Sequence, residues 1–346
     1  MKPSRSRWRR IGVGLLGATA LMTGACGNKT GDNDAPTRSA TADASAFPVT
    51  IDSALGSATI DAAPQRVVTL GWGSEDAALA LGVVPVGVQD IQPGSGDGLL
   101  PWSRARLKEL DPGAEPTFLS PEVSFEQIAG LEPDVILAVH SGLSQEQFDT
   151  LSSIAPTVAY PERSWATSWE DQISTVGKAL GRNAQASELI ESTQRVIADA
   201  KETHPEFAGK TAAFGSATET GSYNFYFDTE PRTKLLQALG FTVDPLAQQL
   251  REASDQTAFS APVSMEILPM YNPDVLVAWY LSADFQNEVE NNPLFASMGA
   301  VLDNSYVPIT DPSLVFASSS PNVLNMAWLL EQLLPQLSAA AKNVTT

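Results

Sequence analysis

The sequence predicts an α/β protein of two similar Rossmann-like lobes, each with a mainly parallel sheet, joined by a single long helix with a ligand cleft between the lobes. Three observations carry this prediction. Short apolar runs alternate with helical patterns, as in a sheet whose strands are linked by crossover helices. One phrase occurs twice, Ser-x-Glu, six residues, then Pro-Asp-Val: Ser124-Phe125-Glu126 … Pro133-Asp134-Val135 and, 140 residues later, Ser264-Met265-Glu266 … Pro273-Asp274-Val275. Between the copies lies an amphipathic stretch about 30 Å long at 1.5 Å per residue, enough to bridge two lobes. At 346 residues the chain has length for both.

The first 25 residues read as a signal peptide. Lys2, Arg5, Arg7, Arg9 and Arg10 precede 15 apolar or small residues, 11–25, too few for a comfortable membrane span. The stretch ends in Leu21-Met22-Thr23-Gly24-Ala25-Cys26, similar to a bacterial lipoprotein cleavage box, with Thr23 where leucine is usual. Cys26 is the single cysteine, so it is the expected lipidation site and no intramolecular disulfide is possible. Removing residues 1–25 takes five basic and no acidic residues, so the net charge goes from −19 to −24. Such a chain has no electrostatic means of binding nucleic acid or anionic lipid, and membrane attachment falls to the acyl chains.

Residues 26–47 are small and polar and read as a flexible tether. Residues 48–167 form the expected N-terminal lobe. Residues 49–60 alternate like a hairpin, and 67–70 is a buried strand. Gly71-Trp72-Gly73 turns, and Ser74 is expected to cap a helix with Glu75 and Asp76 in its first turn. Residues 85–88 and 157–159 are further strands. Each repeated phrase reads as a short helix, a turn and a buried strand, with Gln127 completing a capping box on Ser124. Residues 168–205 hold two helices. Trp169, Ile173, Val176 and Leu180 share one face, and Asn183 is expected to cap the bridging helix up to His204. The C-terminal lobe takes residues 206–337, with a last helix over 321–334, and residues 338–346 are expected to fray.

Two α/β lobes on one long helix, behind a lipoprotein signal, resemble the substrate-binding proteins of ABC importers for iron–siderophore complexes and cobalamin. The resemblance spans residues 48–335. It is carried by Pro64-Gln65-Arg66-Val67-Val68, by Ala80-Leu81-Gly82-Val83-Val84-Pro85-Val86-Gly87 and by the paired phrases. Pro101-Trp102 and Ile154-Ala155-Pro156-Thr157-Val158 are similar to actinobacterial iron-siderophore lipoproteins. The resemblance implies a monomeric receptor on the extracytoplasmic face of the cell membrane, with no cofactor of its own. Iron would enter only inside its chelate. Glu126 and Glu266, one per lobe, would dock into arginines of the permease, a fork-on-carboxylate contact. A Walker phosphate loop is absent, so the ATPase is another polypeptide. Lobe motion is expected to be small, because a helix is a stiff link.

Ligands of parallel sheets gather at the carboxyl ends of strands. That rule selects Trp72, Gly73, His140 and Tyr280. Aromatic and basic residues suited to a bulky, partly apolar, often anionic chelate add Trp102, Arg104, Arg106, Arg163, Trp165, Tyr223, Tyr226 and Arg232. Trp102, Arg104 and Arg106 are expected in a loop. Phe225 and Phe227 read as core. Haem or cobalamin is the alternative ligand; for haem, Tyr223, Tyr226, Tyr280 or His140 is the axial donor. A bare zinc or manganese site is excluded by the count of two histidines. A secreted hydrolase lacks its nucleophile elbow, since Gly71-Trp72-Gly73-Ser74-Glu75 has serine in the wrong place.

Overall fold

The computed structural model describes residues 42–90, 98–217, 221–255 and 258–344. The expected signal peptide, Cys26 and the expected tether up to residue 41 lie outside them. The N-terminal lobe opens with the hairpin β1 (Val49–Ser53) and β2 (Gly56–Ile60). It continues with β3 (Val67–Thr69), β4 (Gly87–Gln89), β5 (Thr117–Leu119), β6 (Val135–Leu137) and β7 (Thr157–Val158), one parallel sheet in the order β5-β4-β3-β6-β7. The C-terminal lobe holds β8 (Thr211–Ala217), β9 (Ser222–Tyr226), β10 (Thr242–Val243), β11 (Ser260–Ser264), β12 (Val275–Tyr280) and β13 (Tyr306–Ile309). Their order is β11-β9-β8-β12-β13, with β10 also beside β8. Strands β3, β6 and nearly all of β12 are buried, as continuous apolar runs with helices on both faces should be.

The two sheets share a strand order around their centre, but the first is all parallel, while in the second β9 runs antiparallel to both its neighbours and β10 is added. β8 stands where β3 stands, β12 where β6 stands, and β11 forms the edge that β5 forms. The repeated Pro-Asp-Val phrase explains part of this. Asp134 accepts the backbone N–H groups of Gln65 (2.7 Å) and Arg66 (2.9 Å), just before β3. Asp274 accepts from the Thr211 N–H (2.6 Å) and hydroxyl (2.9 Å), at the first residue of β8. Each aspartate thus ties the start of one central strand to the neighbouring strand, satisfying donors that the ladder leaves open.

The bridge is the helix Asn183–Thr203, 21 residues long. It packs on the helix Trp169–Ala179, where Gly177 allows the approach: a Cβ there would stand 2.6 Å from that of Ala186. The lobes also touch directly and cluster as one compact unit. Leu100 and Trp102 of the N-terminal lobe enter the core built by Phe214, Leu236, Leu329 and Leu333.

Several local expectations are corrected. Ser74 does not cap; Gly73 occupies that position with φ 76°, and Ser74 is the first helical residue. Asn183 is likewise the first residue of its helix, behind Arg182. Gln127 binds Ser120, not Ser124, and the capping box sits at Ser144 and Gln147. The second Ser-x-Glu begins no α-helix: Ser264 ends β11 and the chain then makes the 3-10 turn Leu268–Met270, where Pro269 lacks the N–H that an α-helix needs. Trp102, Arg104 and Arg106 lie on the helix Pro101–Leu110, not in a loop. The fold begins before residue 48, since the Asp43 N–H reaches the Gly181 carbonyl (2.9 Å) and Phe47 packs on the lobe core. The last helix, Met326–Asn343, runs through Pro335, and Leu337, Ala340 and Ala341 are buried, so the tail does not fray there.

Candidate functional site

All strands of the first sheet point the same way, so the loops after β3, β4, β5 and β6 meet along one rim. There they enclose a cavity of about 520 Å³ whose walls include Trp72, Trp165, Gln89, Asp90, Glu122 and Gln147. Gly71 makes the rim possible. Its φ is 76°, and a Cβ would stand 2.3 Å from the His140 carbonyl, which accepts the Trp72 N–H at 2.9 Å. The loop after β3 is thereby laid against the loop after β6. Gln172 donates to the Trp72 carbonyl (2.8 Å) and Gln89 accepts the Gly71 N–H (2.7 Å), fixing the turn from both sides. Gly73 itself is buried beneath Gln172 and Ser320.

Trp72 and Trp165 stand 5.5 Å apart between ring centroids, and Phe316 of the C-terminal lobe meets Trp72 edge-on at 5.0 Å. These three half-buried rings form an aromatic wall that both lobes build. A second opening of about 350 Å³ lies between Arg163, Glu162 and Asp171 on one side and Thr229 and Lys234 on the other. Arg163 donates across it to the Thr229 hydroxyl (3.4 Å).

Behind the wall the lobes meet through buried polar groups. His140 packs edge-on against Trp165 at 5.7 Å. Burial, with the Arg232 charge adding to it, pushes its imidazole down to about 3, so the ring is neutral at physiological pH. Arg232 lies over the Tyr226 ring at 4.2 Å and pairs with the buried Glu230. Burial raises the Glu230 carboxyl, and the Arg232 guanidinium pulls it back. Tyr226 accepts the indole N–H of Trp279 (2.8 Å). Further along, Asp76 accepts from the Trp102 indole (2.7 Å), from the Ser103 hydroxyl and from Asn322 Nδ2 (2.8 Å) of the other lobe. Desolvation raises the Asp76 carboxyl against those three donors and pushes that of the neighbouring Glu75 up strongly.

The structure therefore separates the residues singled out from sequence. Trp72 and Trp165 line the main cavity, and Arg163 lines the second. His140, Tyr226 and Arg232 are buried together behind the wall. Tyr223 and Tyr280 are core residues, fully buried in the second lobe, because β9 and β12 are interior strands covered on both faces; the Tyr223 ring lies over Gly215, and the Tyr280 hydroxyl binds that of Tyr306 (2.7 Å). Trp102 is held by Asp76 and packs at a tilt against Trp328, ring centroids 5.1 Å apart. Arg104 faces Glu115 (3.5 Å), and Arg106 binds the Leu79 carbonyl (3.2 Å) and Glu109 (2.9 Å). Sequence reasoning missed the lining residues Gln89, Asp90, Glu122 and Gln147, and Phe316, which packs behind Trp72. The carboxyl-end rule applied to the strand read at 85–88 would have given Gln89 and Asp90, and it would have given Glu122 had β5 been read as a strand.

Glu126 is exposed in the first turn of the helix Phe125–Gly130, which follows β5. Glu266 is exposed in the turn after β11. β5 and β11 are corresponding edge strands. β11 is antiparallel to β9, itself antiparallel to β8, so the carboxyl end of β11 shares the side of the sheet on which β8 and β12 end. Each glutamate thus stands beyond the carboxyl end of its lobe's edge strand.

A cavity at the carboxyl ends of the first lobe's strands, walled by aromatic, amide and carboxylate side chains and closed off behind Trp72 by Phe316 of the second lobe, has the form of a ligand-binding site. The chain belongs to the periplasmic binding protein family, whose model matches residues 67–313. It is 31% identical over 244 residues to the "Probable siderophore-binding lipoprotein YfiY" of Bacillus subtilis, covering 70% of this chain and 71% of that one. It is 27% identical to the "Fe(3+) dicitrate-binding periplasmic protein FecB" of Escherichia coli, covering 70% and 74%. Among solved structures, Streptococcus pneumoniae PiaA in complex with ferrichrome superposes with a TM-score of 0.78 at 31% identity, covering 86% of this chain and all of that one.

Proposed function

We propose that this chain is a lipid-anchored receptor on the extracytoplasmic face of the cell membrane. It binds a ferric siderophore in the inter-lobe cleft and delivers it, as a monomer, to an ABC permease driven by a separate ATPase. The observation that carries this reading is the cavity of about 520 Å³ walled by Trp72 and Trp165, with Phe316 joining from the other lobe. Aromatic faces suit the organic body of a chelate, and the volume suits a drug-sized ligand. The similarity to the siderophore-binding YfiY and the dicitrate-binding FecB, and the ferrichrome bound to PiaA, support the same reading.

Iron arrives as cargo inside the chelate, and the protein contributes no cofactor. The cavity wall offers neither histidine, tyrosine, methionine nor cysteine among the described residues, which favours a chelate over haem. Lipid attachment at Cys26 and docking through Glu126 and Glu266 complete the proposal. Titrating the purified chain with ferric and iron-free siderophores, following tryptophan fluorescence, tests it. Saturable quenching by a ferric form supports the reading. A Soret shift with one equivalent of haem, without quenching by any siderophore, overturns it.

A further inference from the structure

Trp165 holds its place in the cavity wall in a backbone conformation that a bulky residue adopts only under constraint: its φ is 57°. The other two non-glycine residues with positive φ among the described residues, Glu132 and Asn304, each follow a helix end, where a left-handed residue is the ordinary way to stop a helix. Trp165 lies instead in the loop between β7 and the helix Trp169–Ala179. That loop is pinned to the segment after β6 at two points. The Trp165 N–H donates to the Ser141 carbonyl (3.2 Å), and the Thr167 hydroxyl donates to the Val139 carbonyl (2.7 Å). The indole edge then lies against Gly142, which lines the same cavity. A Cβ at Gly142 would stand 2.5 Å from Trp165 Nε1 and 2.9 Å from Cε2. The Gly142 backbone is not left-handed, so the indole, and not a backbone angle, is what calls for glycine there.

We propose that Gly142 is a positioning residue for chelate binding: the space left by its missing side chain seats the Trp165 indole, and that seat sets the shape of the cavity. The inference rests on the siderophore-receptor reading and adds a residue to it. A methyl group at position 142 would stand about 1 Å inside the ordinary separation of about 3.5 Å, so the ring must move. It has little room to retreat. Its own backbone is pinned, the Trp72 ring stands 5.5 Å away between centroids, and the His140 ring meets it edge-on at 5.7 Å. The open side is the cavity. The indole is therefore driven into the space the chelate takes, and the Trp72–Trp165 wall loses its geometry. Gly142 itself is exposed, so the substitution acts on the wall rather than on the core.

The test is a double-mutant cycle of Gly142→Ala and Trp165→Ala in the full chain. The probes are ferrichrome, ferrioxamine B, ferric enterobactin and ferric dicitrate, and the one that binds wild type most tightly is carried through the cycle by tryptophan quenching. Gly142→Ala is expected to weaken binding at least about tenfold beside Trp165, and less than about twofold once Trp165 is replaced. Near-ultraviolet circular dichroism without ligand reads the ring directly. Gly142→Ala should change the spectrum when Trp165 is present and leave it unchanged in the Trp165→Ala background. A spectrum that Gly142→Ala does not alter overturns the seating, whatever the probes do. No loss of affinity, or an equal loss in both backgrounds, overturns the positioning role and leaves the receptor reading standing. Quenching of the wild type by none of the four probes overturns both.

Discussion

Asp76→Ala should loosen the seam between the lobes. Asp76 receives hydrogen bonds from Trp102, Ser103 and Asn322, all buried, and the Asn322 contact spans 246 residues of sequence. Removing the carboxylate leaves three buried donors without their acceptor. An orphaned buried donor costs about 1–3 kcal/mol, and stripping one side from a buried charged network costs about 3–5 kcal/mol. Some relaxation of Asn322 toward the Ser320 carbonyl, already 3.2 Å away, lowers the sum. The expected loss is therefore about 3–4 kcal/mol, a large share of a typical folding stability of about 5–15 kcal/mol. Asn322→Ala removes one donor and should cost about 1–2 kcal/mol. Because the two residues touch, the double variant should cost less than the two single losses together. Urea unfolding followed by near-ultraviolet circular dichroism measures all three. A loss below about 1 kcal/mol for Asp76→Ala, or strict additivity in the cycle, refutes a shared inter-lobe network.

Trp72→Ala should weaken chelate binding at least about tenfold while leaving urea stability close to wild type, because a half-buried wall residue is lost rather than a core one. Trp102→Phe should do the reverse: about 1–2 kcal/mol of stability lost with its bond to Asp76, and chelate affinity unchanged in the same titration. Glu75→Gln should raise stability at neutral pH. The Glu75 carboxyl is raised in the folded state above its unfolded value of about 4.3, so wild-type stability falls as pH rises from there through the raised value. The amide does not titrate, so the advantage of the variant should vanish near pH 4 and grow upward. Parallel stability–pH curves would contradict this account.

The α/β class, the bridging helix and the two lobes were legible because they rest on long-range regularities: buried apolar runs, a helical period over 21 residues and a repeated phrase. The phrase marked symmetry correctly, yet its glutamates drew the attention while its aspartates do the structural work at β3 and β8. The cleft was half legible. Trp72 could be placed because glycines flank it in a turn after a strand. Tyr223 and Tyr280 could not, because strand alternation does not reveal that a neighbouring layer covers each face. Arg104, Arg106 and Arg232 look alike in sequence, and only the positions of Glu115, Glu109 and Glu230 show where their charges go. Phe316 packs on Trp72 through the closeness of the lobes, which no local pattern encodes.

The delivery of cargo by a symmetric pair of contacts is tested most directly by reversing both charges, Glu126→Arg with Glu266→Arg, and measuring cellular uptake of a radiolabelled ferric siderophore beside affinity of the purified variant. Both side chains are exposed, so folding and binding should stay intact while uptake collapses. Uptake that stays at the wild-type level with the charges reversed would contradict the account.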